Sequence, residues 1–214
     1  MPWPMSPPEQ APLEQAMARF AAGDDAALGD VYDLASPAVF RFLARLCRDQ
    51  PLAEDLTQET FLRIHRARGL YRPGAAVLPW AYTIARRLFL DAVRARKAEP
   101  PRASGTVPSS AHDSDVDVVA ALPADEPTAE QLLADRQLAG AIDEALARIP
   151  ERQAVAFRLL KSEGLSVAET AAVMGTTEGA VKLRAHRAYE ALRALLAGRF
   201  APATAKRRAD GGTR

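Results

Sequence analysis

Residues 163–196 have the sequence EGLSVAETAAVMGTTEGAVKLRAHRAYEALRALL, which predicts two helices joined by a tight turn. Ser166 and Glu169 form a capping box, in which each side chain accepts a hydrogen bond from an N–H that the helix start leaves free. Gly175 predicts the turn, because glycine adopts a positive φ without strain. Thr176 or Thr177 is the expected N-cap of the second helix.

The second of these helices has an apolar side and a basic side. Its helical periodicity predicts one buried stripe, made of Val181, Ala185, Ala188, Leu192 and Leu195. The opposite side carries Lys182, Leu183, His186 and Arg187, while Arg184 borders the buried stripe. A basic, outward-facing helix after a tight turn suits the major groove of DNA. The pattern predicts duplex DNA binding, but many kinds of regulator contain it.

The charge of the chain is strongly segregated along its 214 residues, although the total is only +1. Residues 1–98 have a net charge of +2, residues 99–135 of −7 and residues 136–214 of +6. Two basic blocks around an acidic spacer predict two domains that face nucleic acid and a segment that avoids it.

Composition excludes several classes of protein. Cys47 is the only cysteine, so an intramolecular disulfide is impossible, and its apolar neighbours predict a buried small side chain. No apolar run is long enough to span a membrane, and the proline-rich N-terminus lacks the pattern of a signal peptide. We therefore expect a cytoplasmic protein with no membrane insertion. His65, His112 and His186 are too scattered to predict a metal site, and no cofactor is expected.

Hydrophobic periodicity predicts an all-α fold of two small helical domains joined by a flexible acidic linker. The first domain, residues 12–98, should contain four helices, at about 12–22, 24–49, 51–68 and 78–98. Pro37 should kink or restart the second of them. The linker spans residues 99–127, because low hydrophobicity and repeated prolines cannot offset the ordering entropy. Residues 128–197 form the helix-turn-helix domain, flanked by a disordered segment at 1–11 and a basic tail at 198–214.

Two helices of the first domain carry candidate binding residues. The third should bury Leu56, Phe61 and Ile64, and its N-terminal half is crowded with acidic and amide side chains, namely Glu54, Asp55, Gln58 and Glu59. Favourable interaction with the helix dipole is the simpler explanation of those carboxylates. The fourth has two apolar stripes, one with Trp80, Ile84, Leu88 and Ala95 and the other with Tyr82, Phe89 and Val93. Its arginines interleave with aromatic rings, a pattern that suits single-stranded DNA.

The combination of these segments resembles a bacterial RNA polymerase sigma factor of the extracytoplasmic-function group. The matching sequences are EDLTQETFLRIHRA, PWAYTIARRLFLDAVR and IPERQAVAFRLLKSEGLSVAETAAVMGTTEGAVKLRAHRA, in the family's order. The resemblance covers about residues 24–98 and 130–197. It implies a specificity subunit that binds core RNA polymerase, recognises promoter DNA, melts the minus-ten region and is not itself an enzyme.

The resemblance also implies roles for individual residues. Asp55, Gln58 and Glu59 match positions that dock on the clamp helices of the polymerase β′ subunit. The loop at 69–79 and the fourth helix match the part that captures the minus-ten element, with candidate residues Trp80, Arg86, Arg87, Arg94, Arg96 and Lys97. The minus-thirty-five element would be bound by Lys182, Leu183, Arg184, His186 and Arg187. The β flap of polymerase and an anti-sigma factor are further implied partners.

One position departs from the family pattern. The family usually has Asn where this chain has Arg87, in IARR. Which residue forms the minus-ten pocket, and for which base, therefore stays open. Arg94, Arg96 and Lys97 are better suited to backbone phosphates, a contribution without sequence information.

The main alternative is a stand-alone helix-turn-helix regulator whose N-terminal helices bind an effector or form a dimer. Such a protein would bind duplex operators without polymerase, usually as a dimer on two half-sites. An enzyme that uses the carboxylates of the third helix is a weaker alternative, because those groups lie at a helix start with no predicted pocket. The acidic third helix followed by PWAYTIARR favours the sigma factor.

Overall fold

The computed structural model of the protein describes residues 7–98 and 129–197. The predicted linker, the basic tail and the first six residues lie outside these ranges. Within them all regular structure is helical, as predicted. The N-terminal domain contains α1 (Pro7–Ala21), α2 (Ala27–Cys47), α3 (Gln50–Arg66), a short 3-10 helix (Arg68–Leu70) and α4 (Val77–Ala98). The C-terminal domain contains α5 (Ala129–Leu146), α6 (Glu151–Lys161), α7 (Val167–Met174) and α8 (Glu178–Leu196).

The core of the N-terminal domain is formed by the apolar faces of α1 to α4. Each helix contributes large side chains that are almost fully buried, such as Phe20, Phe42, Ile64 and Tyr82. The rings of Phe42 and Tyr82 lie 4.9 Å apart between centroids, within the range of favourable aromatic pairs. Helix α4 contacts α2 and α3, so two sides of it are packed, as its two apolar stripes predict.

Two helix boundaries differ from the prediction. Helix α1 begins at Pro7, so residues 7–11 are helical and not part of a disordered segment. Pro7 fits there because the first turn of a helix does not use its N–H groups. Helix α2 runs through Pro37 without a restart. Pro37 removes the hydrogen bond to the carbonyl of Asp33, but both residues are exposed, so that carbonyl can be solvated.

The two domains pack against each other in this structure. Helix α4 of the N-terminal domain contacts α7 of the C-terminal domain. One continuous buried cluster contains Tyr82 and Ala85 of α4 together with Val155 and Leu159 of α6. A second, smaller cluster around Leu146 and Leu192 holds α5, α6 and α8 together.

Candidate nucleic-acid and partner interfaces

The helix-turn-helix forms as its sequence predicts. The Ser166 hydroxyl oxygen accepts from the backbone N–H of Glu169 at 3.2 Å, and the Glu169 carboxylate accepts from the N–H of Ser166 at 2.8 Å. Gly175 ends α7 in the left-handed conformation, at φ 60°. The Thr177 hydroxyl caps α8 by accepting from the N–H of Ala180 at 3.3 Å. The angle between the two helices is therefore set by local hydrogen bonds and one glycine.

The outer face of α8 is exposed where DNA binding was predicted. Lys182, Leu183, His186 and Arg187 are all exposed, while Arg184 is half-buried at the edge of the packed side. Val181, Ala188 and Leu192 are buried as expected. Leu195 was expected in that stripe but is 40% exposed, because Leu196, four residues after Leu192, packs against the cluster of α5, α6 and α8 in its place.

Tyr189 is a surface residue of α8 that the sequence analysis did not single out. Its side chain is 57% exposed, and it lies seven residues after Lys182, so the two share one face of the helix. A tyrosine beside cationic side chains is suited to hydrogen bonding with a DNA phosphate. The seven-residue spacing from Lys182 was the sequence signal that could have identified it.

Helix α3 presents an acidic edge next to a groove. Its N-cap is Asp49, whose carboxylate accepts from the N–H of Leu52 at 3.1 Å. Asp55 and Gln58 are exposed on this helix, and Glu59 pairs with Arg63 at 3.0 Å. The groove between α2 and α3 has a partly apolar lining: Tyr32, Ser36, Pro37, Phe40, Glu54, Thr57 and Gln58. An acidic edge beside an apolar groove is complementary to a basic, amphipathic helical partner.

The predicted minus-ten residues differ in their accessibility. Arg87 and Lys97 are exposed. Arg94 pairs with Asp91 at 2.6 Å, and Arg96 pairs with Asp49 at 3.2 Å, yet both guanidinium groups stay largely exposed. Exposed ion pairs of this kind contribute little stability, so these arginines can exchange their carboxylates for phosphates at small cost.

The loop before α4 is held by aromatic side chains. The Tyr71 hydroxyl donates to the carbonyl of Ala75 at 2.6 Å, which closes the turn around Gly74. The Tyr71 and Trp80 rings lie 5.9 Å apart, and Trp80 is half-buried. Residues 69–79 therefore have a defined shape at the N-terminal end of α4.

Arg86 lies at the contact between the two domains and not on an open surface. Its side chain is half-buried, and its Nε atom has no hydrogen-bond partner within the described ranges. Burial lowers the pKa of Arg86, and Glu151, Arg152 and Arg184 of the C-terminal domain act on its charge. The structure thus brings Arg86 and Arg184, predicted to bind different DNA elements, to the same region.

Three residues that the sequence analysis did not place in a site meet at this contact. Glu163, just after α6, accepts a hydrogen bond from the Tyr82 hydroxyl at 2.8 Å and lies 3.4 Å from the Arg45 guanidinium. Glu163 is more than 80 residues from Tyr82 and more than 110 from Arg45 in sequence. No local pattern connects residues so far apart, so the sequence held no signal for this cluster.

The described residues contain no group of three or more His, Cys, Asp and Glu side chains arranged to hold a metal ion.

Cys47 is half-buried, and burial raises the pKa of its thiol to about 11, with a smaller contribution from Asp49. The thiol is therefore protonated near neutral pH and is a poor nucleophile. A helix suitable for spanning a membrane is absent from residues 7–98 and 129–197.

A helix-turn-helix with a basic outer face, joined to a second helical domain, is typical of a DNA-binding transcription protein. The profile of Sigma-70 region 2 matches residues 31–99, and that of Sigma-70, region 4, matches residues 139–192. The chain belongs to the sigma-70 family, in its extracytoplasmic-function group.

Individual relatives agree with this assignment. The chain is 38% identical over 183 residues to the RNA polymerase sigma factor CarQ of Myxococcus xanthus, covering 84% of this chain and 95% of CarQ. It is 37% identical over 180 residues to the ECF RNA polymerase sigma factor SigE of Mycolicibacterium smegmatis, covering 83% of this chain and 65% of SigE.

A solved structure shares the fold. It is the sigma factor RpoE of Bartonella quintana in complex with the anti-sigma factor NepR, with a TM-score of 0.56 and 23% identity over 78% of this chain and 95% of RpoE. The protein directs promoter-specific transcription with RNA polymerase, and the alternative of a stand-alone regulator is not favoured.

Proposed function

We propose that this sigma factor contacts polymerase and promoter through three separate surfaces. The acidic edge of α3 docks on the β′ clamp helices, the loop at 69–79 with α4 captures the minus-ten element, and the outer face of α8 binds the minus-thirty-five element. The observation that carries the proposal is the outward-facing set Lys182, Leu183, His186 and Arg187 on a rigidly capped α8.

Docking through α3 is supported by the accessibility of Asp55 and Gln58 beside the groove between α2 and α3. A basic coiled-coil surface would gain charge complementarity from Asp55 and apolar contact from the groove. Glu59 adds to the acidic edge after exchanging Arg63 for a cation of the partner, which costs little for an exposed pair. Exposed charges at the rim also accelerate association.

Capture of the minus-ten element is supported by the ordered loop and the exposed cations of α4. Melting requires a base to leave the stack, which costs a few kcal/mol that pocket contacts must offset. Trp80, at the base of the loop, offers a ring for stacking, and Arg87 reaches solvent on the next turns of the helix. Arg94, Arg96 and Lys97 follow α4 towards its end and suit the phosphates of the displaced strand.

Recognition of the minus-thirty-five element is supported by the side chains of α8. Lys182 and Arg187 can donate to guanine edges or phosphates, and His186 can donate or stack. Leu183 is 48% exposed and apolar, which suits the methyl group of thymine. We add Tyr189 to this surface because it extends the face that contains Lys182.

The remaining assignments follow from this role. Residues 12–98 and 128–197 act as sigma regions 2 and 4, and the β flap of polymerase holds the second of them. The protein is not an enzyme, needs no cofactor and acts in the cytoplasm beside the chromosome. An anti-sigma factor is a further expected partner, since the fold is shared with a sigma factor crystallised with one.

The proposal is tested by in vitro transcription with core polymerase and promoters from the host genome. Added protein should produce promoter-specific starts, and Asp55→Lys should weaken binding to core polymerase by about tenfold because it reverses a docking charge. Asp33→Lys is the matched control: it makes the same charge change at an exposed position of α2 that lines the hollow facing α1 and not the proposed docking groove. Equal loss in both variants would refute the α3 docking surface. Strong binding to duplex promoters without polymerase, with no specific starts, would refute the proposed function.

A further inference from the structure

A buried carboxyl group joins the two domains through polar contacts. The Glu163 side chain is only 6% exposed. One of its oxygens accepts from the Tyr82 hydroxyl at 2.8 Å, and the other lies 3.4 Å from Nη1 of Arg45. Tyr82 lies on α4 and Arg45 on α2, so Glu163 links the C-terminal domain to two helices of the N-terminal domain.

Further hydrogen bonds cross the same contact. Arg158 is 5% exposed, and its guanidinium donates to the backbone carbonyl of Arg45 at 2.9 Å while pairing with Asp143 at 3.1 Å. The Arg48 guanidinium donates to the carbonyl of Ala147 at 2.9 Å. Together with the continuous buried cluster, these bonds define one specific packing of the two domains.

This packing holds together two surfaces that promoter binding needs apart. Arg86 of α4 is half-buried within electrostatic reach of Arg184 on α8. The minus-ten and minus-thirty-five elements are centred about 25 base pairs apart, which is roughly 85 Å at about 3.4 Å per base pair. Helix α8, with 19 residues, is roughly 28 Å long at about 1.5 Å per residue. Domains whose proposed DNA-binding arginines lie within electrostatic reach of each other cannot bind both elements at once.

We propose that the packed arrangement is a self-inhibited state of this sigma factor, latched by Glu163 between Tyr82 and Arg45, and that it must open before the promoter is bound. The latch belongs to the chain itself and needs no second protein. The inference rests on the proposed assignment of the DNA-binding residues.

Opening is measured without DNA by single-molecule fluorescence energy transfer. Dyes are placed on cysteines introduced at the exposed positions Ala22 and Ala194, one in each domain, in a Cys47→Ser background. Wild type should show a high-transfer population. Glu163→Lys should shift most molecules to low transfer, because it puts a cation among Arg45, Arg158 and the nearby Arg41.

Two further variants keep the test decisive. Asp33→Lys is the matched control, since it reverses an acidic charge in the same way at an exposed position of α2, about three turns from Arg45, and should leave transfer unchanged. Tyr82→Phe removes only the hydroxyl that Glu163 accepts from and keeps the ring packing, so it should give a smaller shift in the same direction. Circular dichroism verifies that each variant is folded. High transfer in both folded latch variants, as in wild type, would overturn the latch.

Transcription at limiting sigma factor tests the inhibitory role. If only a fraction of the molecules is in the open state, the apparent affinity for the promoter is reduced by that fraction. Glu163→Lys should therefore raise promoter-specific transcription by roughly 3- to 10-fold over wild type and over Asp33→Lys. An opened variant with no gain would overturn inhibition by the latch. Failure of every protein, wild type included, to start transcription would instead refute the proposed function, while the transfer measurement still decides whether the latch exists.

Discussion

At the scale of single residues, Asp49 connects helix formation to the charged surface of α4. Its carboxylate accepts from the N–H of Leu52 and from the Arg96 guanidinium. The backbone hydrogen bond and the Arg96 contact lower the pKa of Asp49 below its ordinary value. The Asp49 cap therefore fixes the start of α3, the proposed docking helix.

Removal of this cap should destabilise the N-terminal domain. We expect Asp49→Ala to lower the free energy of unfolding by about 1 kcal/mol, the usual effect of losing an N-cap. Urea denaturation at neutral pH measures the difference. Asp49→Asn keeps an oxygen that accepts from Leu52 and should lose much less. Equal losses would show that the charge, and not the cap, is responsible.

Arg87 and Arg86 show that adjacent residues with the same side chain can have different surroundings. Arg87 is exposed, whereas Arg86 is half-buried at the contact between the domains. The helical pattern of α4 predicted two packed sides, but it could not predict that a second domain covers Arg86.

At the scale of elements, the local sequence around α8 specifies both that this helix forms and which of its faces points outward. The capping box at Ser166, the left-handed Gly175 and the Thr177 cap all appear in the structure as predicted. Exposure of the basic face follows from helical periodicity. The ends of helices were less predictable, since Leu195 on α8 and Ala95 on α4 are exposed although both belong to apolar stripes.

Substitutions on the outer face of α8 should weaken DNA recognition without affecting assembly. We expect Lys182→Ala and Arg187→Ala each to reduce binding to the minus-thirty-five element by polymerase holoenzyme by about 5- to 100-fold, the range of one lost base contact. Fluorescence anisotropy with labelled promoter DNA measures the effect, and a pull-down measures core binding. Arg193→Ala, exposed in the last turn of α8, is the control. Loss of core binding in both variants would show that this face binds polymerase.

At the scale of the whole molecule, we expect Glu163 to make the packing of the two domains depend on pH. Burial raises the pKa of Glu163 despite the hydrogen bond from Tyr82 and the nearby Arg45, Arg41 and Arg158. Glu163 therefore binds its proton more tightly when the two domains are packed than when they are apart. The contribution of Glu163 to the packed state is fully present below the ordinary carboxyl pKa and is lost as the pH rises through the raised value.

The direction of this pKa shift predicts a measurable change in the packing of the domains. Energy transfer between the two labelled domains should be highest below the ordinary carboxyl pKa and should fall as the pH rises through the raised pKa of Glu163. Glu163→Gln cannot titrate and should give a flatter profile. Superimposable profiles for the two proteins would show that another group controls the packing.

The amino-acid sequence alone was enough to establish an all-helical chain, the helix-turn-helix with its caps, and the family. These features depend on helical periodicity, on the side chains of caps and turns, and on motifs within single segments. The cluster of Glu163, Tyr82 and Arg45 and the covering of Arg86 depend instead on how two domains pack. Those contacts join residues distant in the chain, and their free energy comes from burial and from hydrogen bonds that exist only once the domains meet.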